Sequence, residues 1–336
     1  MLEVFSFSFN AVAPILLLVV TGYIIKLTKL FDESFVKKCN TMVFKVFLPV
    51  LLFKNVYDIK SIGEINVAAL VYCVAAILLI CLIGNLSSDL FAKERGQKGV
   101  INQCAFRSNY AIIGIPLAES LGSAQAVAFA GILSAVSIPL FNVLAVIILS
   151  HYSHKDSQPP IKDTIKSAAK NPLIRGVALG IAVLIVRSFI PLDANGELVF
   201  SVKNDLPFLH TAVSNLSKVA SPLALVVLGA RFDFASVKSL IKPISWSVFL
   251  RLVVAPVVGI GGAVLLSSLG IMNFTSTEYP ALVSLFATPI AVSSAVMVSE
   301  IGGDEQLAGQ LVVWTSLLSV FSIFITVFIM KSVALI

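Results

Sequence analysis

The chain has 336 residues, 58% of them hydrophobic and 12% charged, with a mean hydropathy of +0.98. Soluble domains carry about twice that charge fraction, and the apolar residues here fall in long blocks, not amphipathic stripes, which excludes a soluble globular domain. The net charge of +6 would suit nucleic acid, but the basic residues do not gather on one soluble face, so no nucleic-acid partner is expected.

A helix needs ~20 apolar residues to cross a bilayer. Blocks of that size run over Phe5–Leu27, Val36–Phe53, Ile65–Phe91, Val100–Leu121 and Ala124–Ser150, then over Pro172–Leu192, Leu206–Ala230, Ile244–Leu269, Pro280–Ile301 and Leu307–Met330. The spacing predicts an all-α polytopic membrane protein whose ten transmembrane helices lie in a lipid bilayer. The opening Met-Leu-Glu-Val-Phe has no basic stretch and no small-residue cleavage site, so the first block reads as a retained helix. Cys39, Cys73, Cys81 and Cys104 form no CxxC pair and sit in or near apolar blocks. They read as core thiols, with no disulfide framework and no metal site.

One polar linker, residues 151–170, contains His154, Asp156, Pro159, Pro160 and four lysines. It divides the chain into residues 1–150 and 171–336, five blocks each. Lys26, Lys29, Lys37, Lys38, Lys93, Arg95, Lys98, the linker lysines, Arg231, Lys238 and Lys242 fall on one side of the membrane. Lys54, Lys60, Arg187, Lys203 and Lys331 fall on the other. The excess of positive charge places the first side in the cytoplasm, with the linker, and puts both termini outside.

The halves read as copies. Pro14 and Gly22 recur as Pro172 and Gly180; Lys45, Val46 and Pro49 recur as Lys218, Val219 and Pro222; Glu119-Ser120-Leu121-Gly122 resembles Ser299-Glu300-Ile301-Gly302. An odd number of spans per copy starts the second copy on the opposite face, so the repeats are inverted, as in many secondary transporters.

The fourth block contains Arg107-Ser108-Asn109-Tyr110-Ala111-Ile112-Ile113-Gly114-Ile115-Pro116. A polar run with helix breakers at membrane depth is tolerated only where it is buried in protein or lines a wet cavity. A 180-residue offset carries Ser108-Asn109-Tyr110 onto Thr288-Pro289-Ile290 in the ninth block. Breaks at Gly114, Pro116 and Pro289 are expected to interrupt helices 4 and 9, with a mere kink as the alternative reading of Gly114 and Pro116. Two such breaks at corresponding positions point to a transporter's binding site. The half-helix N-termini there offer free N–H donors and partial positive charge to an anion.

Arg107 has two open readings, a bidentate grip on a carboxylate or a structural partner for carbonyls or a buried acid. Ser108 and Asn109 read as substrate contacts or as interhelical glue. Ser293 and Ser294 read as substrate contacts or as small residues for close packing. Lys45, Lys218 and Arg251 read as structural. Glu119 and Glu300, near helix ends, read as solvated termini or as candidates for proton coupling, and Asn40 begins the second span at a position open to the site. Metal ligands and cofactors are not expected, and the coupling ion, H⁺ or Na⁺, stays open.

These residues resemble the auxin efflux carrier family, which includes plant auxin exporters and bacterial malonate-type carriers. The resemblance rests on Phe106-Arg107-Ser108-Asn109-Tyr110 through Gly114-Ile115-Pro116, on Asn40 with Pro49, on Ser221-Pro222-Leu223 through Leu228-Gly229-Ala230, and on Ala287-Thr288-Pro289. It covers nearly the whole chain. It implies ten helices in two inverted repeats, crossing broken helices, a homodimer, and an elevator-like motion that carries organic anions. It makes Asn109 a substrate contact, Pro289 the proline of the second crossover, and Asn40 a residue facing substrate. Ser108 stands where plant exporters have proline, and the linker is about twenty residues instead of a long loop. A small carboxylate carried across a bacterial inner membrane therefore fits better than auxin. The alternatives are a sodium-coupled carrier of the bile-acid symporter type and a non-transporting receptor. An enzyme fits poorly, because Asp58 and Asp304 lie at span ends and no histidine faces a serine in a nucleophile motif.

Overall fold

The computed structural model describes residues 2–57, 66–153, 170–191, 199–233 and 235–336. Most of the expected linker, together with Asp58 and Lys60, lies outside the described residues. The regular structure of the described residues is helical, apart from one isolated antiparallel bridge between Ser108 and Ile290.

The first half forms α1 (Leu2–Leu27), α2 (Glu33–Tyr57), α3 (Val67–Phe91), α4 (Arg95–Phe106), α5 (Tyr110–Leu121) and α6 (Ala124–Tyr152). The second forms α7 (Pro172–Ser188), the short α8 (Val202–Asp205), α9 (Pro207–Arg231), α10 (Val237–Ser268), α11 (Tyr279–Phe286), α12 (Ser293–Ile301) and α13 (Glu305–Ser332). Among the described residues, six continuous helical stretches are long and apolar enough to cross a membrane: α2, α3, the part of α6 from Phe129, α9, α10 and α13. The expected fourth and ninth spans are not among them, because each is split into two shorter helices.

Polar residues at the block edges start several helices. Asp32 accepts a hydrogen bond from Phe35 N at 2.7 Å, Asn66 from Ala69 N at 3.1 Å, Asn171 from Leu173 N at 2.9 Å and Asp304 from Leu307 N at 2.8 Å. Each satisfies a donor that the first turn leaves open. Proline acts less uniformly. Pro139 and Pro222 sit inside continuous helices. Pro49 and Pro256 follow π-helical turns at Val43–Phe47 and Leu250–Val254, which absorb the lost backbone donor without a break. Lys45 and Lys218 are exposed on α2 and α9, and their side chains make no hydrogen bond among the described residues.

One group of helices consists of α1, α2, α7 and α9, with α1 on α9 and α2 on α7. Glycines allow both contacts. A Cβ at Gly22 would lie 2.0 Å from Val226 O, and one at Gly180 would lie 3.1 Å from Phe53 O. The second group surrounds the two interrupted helices, where Tyr110, Phe106, Tyr279 and Phe286 are fully buried. Cys73 and Cys104 are buried in the apolar core as free thiols, and Cys39 and Cys81 are partly buried. Large apolar side chains on the outer faces, such as Leu17, Val71, Leu90, Phe189 and Phe321, stand exposed, as a lipid-facing surface requires.

Candidate functional site

The helix α4 stops at Phe106, and Arg107 already has extended backbone (φ −84°, ψ 109°). The chain runs unwound through Ser108 and Asn109 before winding into the π-helical turn Tyr110–Gly114. In the second half, α11 stops at Phe286 and α12 starts at Ser293. The two gaps lie against each other. Asn109 N donates to Pro289 O at 2.8 Å, Ser108 pairs with Ile290, and the hydroxyls of Ser108 and Thr288 are 2.6 Å apart. Unwound backbone at membrane depth must find protein partners, and here each break supplies them to the other.

This corrects the expected position of the first break. Gly114 and Pro116 do not make it. Pro116 sits inside α5, two residues past the π-helical turn Tyr110–Gly114, which absorbs its missing N–H as the turns before Pro49 and Pro256 do. Gly114 instead permits close approach, since a Cβ there would lie 2.8 Å from Ser284 O. The break falls earlier because the Ser108 and Asn109 backbone is claimed by the opposite segment. Pro289 does lie within the second break.

A buried arginine braces the crossing. Arg251 donates through Nε to Thr288 O at 2.8 Å, through Nη1 to Ala105 O at 3.2 Å, and through Nη2 to Leu285 O and Phe286 O at 3.2 and 2.8 Å. The carbonyls of Ala105, Leu285 and Phe286 belong to the C-terminal ends of α4 and α11, where a cation is favoured by the helix dipoles, and that of Thr288 lies in the gap beyond α11. This is the structural role expected for Arg251.

Arg107 has different surroundings. It is buried, its Nη2 donates to Asn142 Oδ1 and Ser293 Oγ, both at 2.8 Å, and its Nη1 contacts Met297 Sδ. All three acceptors are neutral, and no carboxylate pairs with it among the described residues. Close by, Asn109 Nδ2 is buried with no hydrogen-bond partner. Buried polar atoms are normally satisfied, so Asn109 offers an unused donor at this point.

Both residues line a cavity of ≈ 560 Å³, its open mouth included. Ser108, Asn142 and Ser293 join them in its wall. Leu48, Leu51 and Leu52 from α2, Leu173 from α7, and Ile138 and Phe141 from α6 make the rest largely apolar, with Asn55 and Ser221 as further polar groups. The cavity thus lies between the α1–α2–α7–α9 group and the broken helices.

The other candidates lie apart from it. Thr288 is one layer behind, with its hydroxyl shared between Ser108 and Ser284 O. Ser294 is buried, and its hydroxyl has no partner among the described residues. Asn40 lines a second cavity of ≈ 430 Å³ with Arg231, Ser299 and Glu305, and donates to Glu300 Oε1 at 3.0 Å. Glu300 also accepts from Thr41 Oγ1 at 2.8 Å. Glu119 is exposed at the end of α5. The sequence reading missed Asn142, although an asparagine three residues past Pro139 in an apolar block carries the same signal as Asn109.

Long apolar helices, interrupted helices that pair inside the bundle, and a half-polar cavity at the crossing define a multi-pass membrane protein of the transporter class. The chain belongs to the membrane transport protein family, which is the auxin efflux carrier family, with residues 7–328 matching. An uncharacterized transporter from Methanothermobacter thermautotrophicus is 24% identical over 330 residues, covering 95% of this chain and 97% of that protein. The structure of the sodium proton antiporter MjNhaP1 from Methanocaldococcus jannaschii at pH 8 is similar in fold. Its TM-score is 0.60 at 14% identity, with 93% of this chain and 92% of that chain covered.

Proposed function

We propose that the protein is a carrier of small organic anions, carboxylates in particular, working by elevator-type alternating access with the anion held where the two broken helices cross. The observation that carries this reading is a buried guanidinium with only neutral partners beside an unsatisfied amide donor in one cavity wall. A carboxylate supplies both the charge and the acceptors. In this reading Arg107, Ser108, Asn109 and Ser293 contact the anion, while Thr288, Pro289 and Ser294 shape the crossing behind them. Arg251 holds the broken ends in place. A cation substrate fits badly, because Arg107 repels it and no carboxylate lines this cavity among the described residues.

The architecture that goes with this function is ten spans in two inverted repeats, residues 1–150 and 171–336. The linker is cytoplasmic, both termini are outside, and the protein is a homodimer in a bacterial inner membrane. Equivalent contacts support the repeat. Gly22 meets the carbonyl of Val226, and its counterpart Gly180 meets that of Phe53, the counterpart of Val226. Cavities between the two helix groups fit one group moving against the other. Glu300, which joins α2 to α12, is the better-placed proton-coupling candidate; Glu119 is exposed.

Uptake of labelled short carboxylates by reconstituted protein tests the reading. Asn109→Ala is expected to abolish uptake while the purified variant keeps its elution profile and melting temperature. Uptake at the wild-type rate in that variant would remove the site assignment.

A further inference from the structure

The cavity wall also constrains the charge and shape of the ligand. Arg107 is the one charged side chain lining it among the described residues, and Asn142, Ser293 and Met297 leave its charge uncompensated. The site, open at its mouth, therefore presents one positive charge to a ligand. One carboxylate neutralises it. A second carboxylate has no cation to meet, and a buried charge without a partner is strongly disfavoured.

The arrangement of donors leads to the same conclusion. Arg107 and Asn109 belong to one unwound segment, so the strong donors come from the crossing. The contact of Arg107 Nη1 with a thioether is weak and gives way readily to a carboxylate oxygen. Facing these donors are Leu48, Leu52, Ile138 and Phe141, each buried and apolar. Asn55 and Ser221 add polarity to the wall but no charge.

We infer that the site selects a singly charged carboxylate with a short apolar body and discriminates against dicarboxylates. The carboxylate lies against Arg107 and Asn109, and the hydrocarbon lies against the α2 leucines and Phe141. This inference rests on the anion-carrier reading and narrows its substrate class. It runs against the dicarboxylate substrate that the resemblance to malonate-type carriers implies.

The test is calorimetric titration of the full-length protein in lipid nanodiscs at neutral pH with acetate, butyrate, hexanoate, succinate and butyramide. Affinity is expected to rise about fourfold per added methylene until the apolar wall is covered. Butyrate is expected to bind at least about tenfold more tightly than succinate, and butyramide to bind weakly if at all. Leu52→Ser is expected to weaken hexanoate by a larger factor than acetate, a difference that a general loss of folding does not produce.

Succinate binding as tightly as butyrate would overturn the monocarboxylate inference and leave the anion carrier standing. Butyramide binding as well as butyrate would overturn both, since charge would then play no part. Failure of every carboxylate to bind would overturn both as well.

Discussion

The hydroxyls of Ser108 and Thr288 lie 2.6 Å apart although 180 residues separate them in the chain. The same offset superimposes the two polar motifs. It also maps the backbone pairing onto itself, with Asn109 and Pro289 at the centre of the pair formed by Ser108 and Ile290. The two unwound segments thus satisfy each other's backbone at the crossing.

Loss of one hydroxyl at this point should cost more than loss of both. Thr288→Val leaves Ser108 buried beside a methyl group, which is expected to destabilise by about 1–3 kcal/mol. Adding Ser108→Ala should recover part of that loss, and thermal unfolding of the two single variants and the pair measures the coupling. Strict additivity would show that the contact carries no energy.

Replacement of Arg251 removes the donor that closes the ends of both α4 and α11. Arg251→Met leaves four buried carbonyls without that partner, and a loss of about 3–5 kcal/mol is expected, enough to deplete folded protein. Arg251→Lys should recover little, because a single ammonium cannot span the same fork. Size-exclusion profiles of the detergent-extracted variants give the result.

Two glycines should tolerate no side chain, and a third should welcome one. A Cβ at Gly22 meets backbone at 2.0 Å, and a Cβ at Gly180 lies 2.8 Å from Val56 Cβ. Alanine at either position is expected to cost at least about 1–3 kcal/mol through overpacking. Gly131 has nothing within 4 Å of its Cβ position. There, alanine is expected to gain about 0.5–1 kcal/mol from helix propensity, which melting temperatures would register.

The second cavity is spanned by polar contacts between the two helix groups. Arg231 donates to Ser299 Oγ at 2.6 Å and pairs with Glu305, and Glu300 accepts from Asn40 and Thr41. Removal of both links by Arg231→Ala and Glu300→Ala releases about 1–2 kcal/mol, a factor of roughly 5–30 in a two-state equilibrium. In a background without the native cysteines, Ala295→Cys in this cavity should then label with maleimide faster by a factor in that range. Unchanged labelling would mean that these contacts do not hold the two groups together.

Much of this was legible in the sequence, and the parts that were not share a cause. Arg107, Ser108 and Asn109 stood out because lipid does not tolerate them, and the 180-residue offset located their counterpart. The position of the break did not follow, because Gly114 and Pro116 lie inside α5, where a π-helical turn accommodates the proline, whereas the break is set by backbone pairing with a segment far along the chain. The apolar wall was invisible for a similar reason. Leu48, Leu52 and Phe141 look like every other apolar residue in their spans until the neighbouring helices are in place. Asn40 was expected to face the site at the crossing, but it lines the second cavity, where its partner Glu300, 260 residues away in the chain, could not be foreseen.

The most direct measurement is a high-resolution structure of the protein with a short carboxylate bound. The carboxylate oxygens should lie within hydrogen-bonding distance of the Arg107 guanidinium and Asn109 Nδ2, with the hydrocarbon against Leu48 and Leu52. A carboxylate held instead in the second cavity beside Asn40 and Arg231, with the crossing unoccupied, would contradict the account.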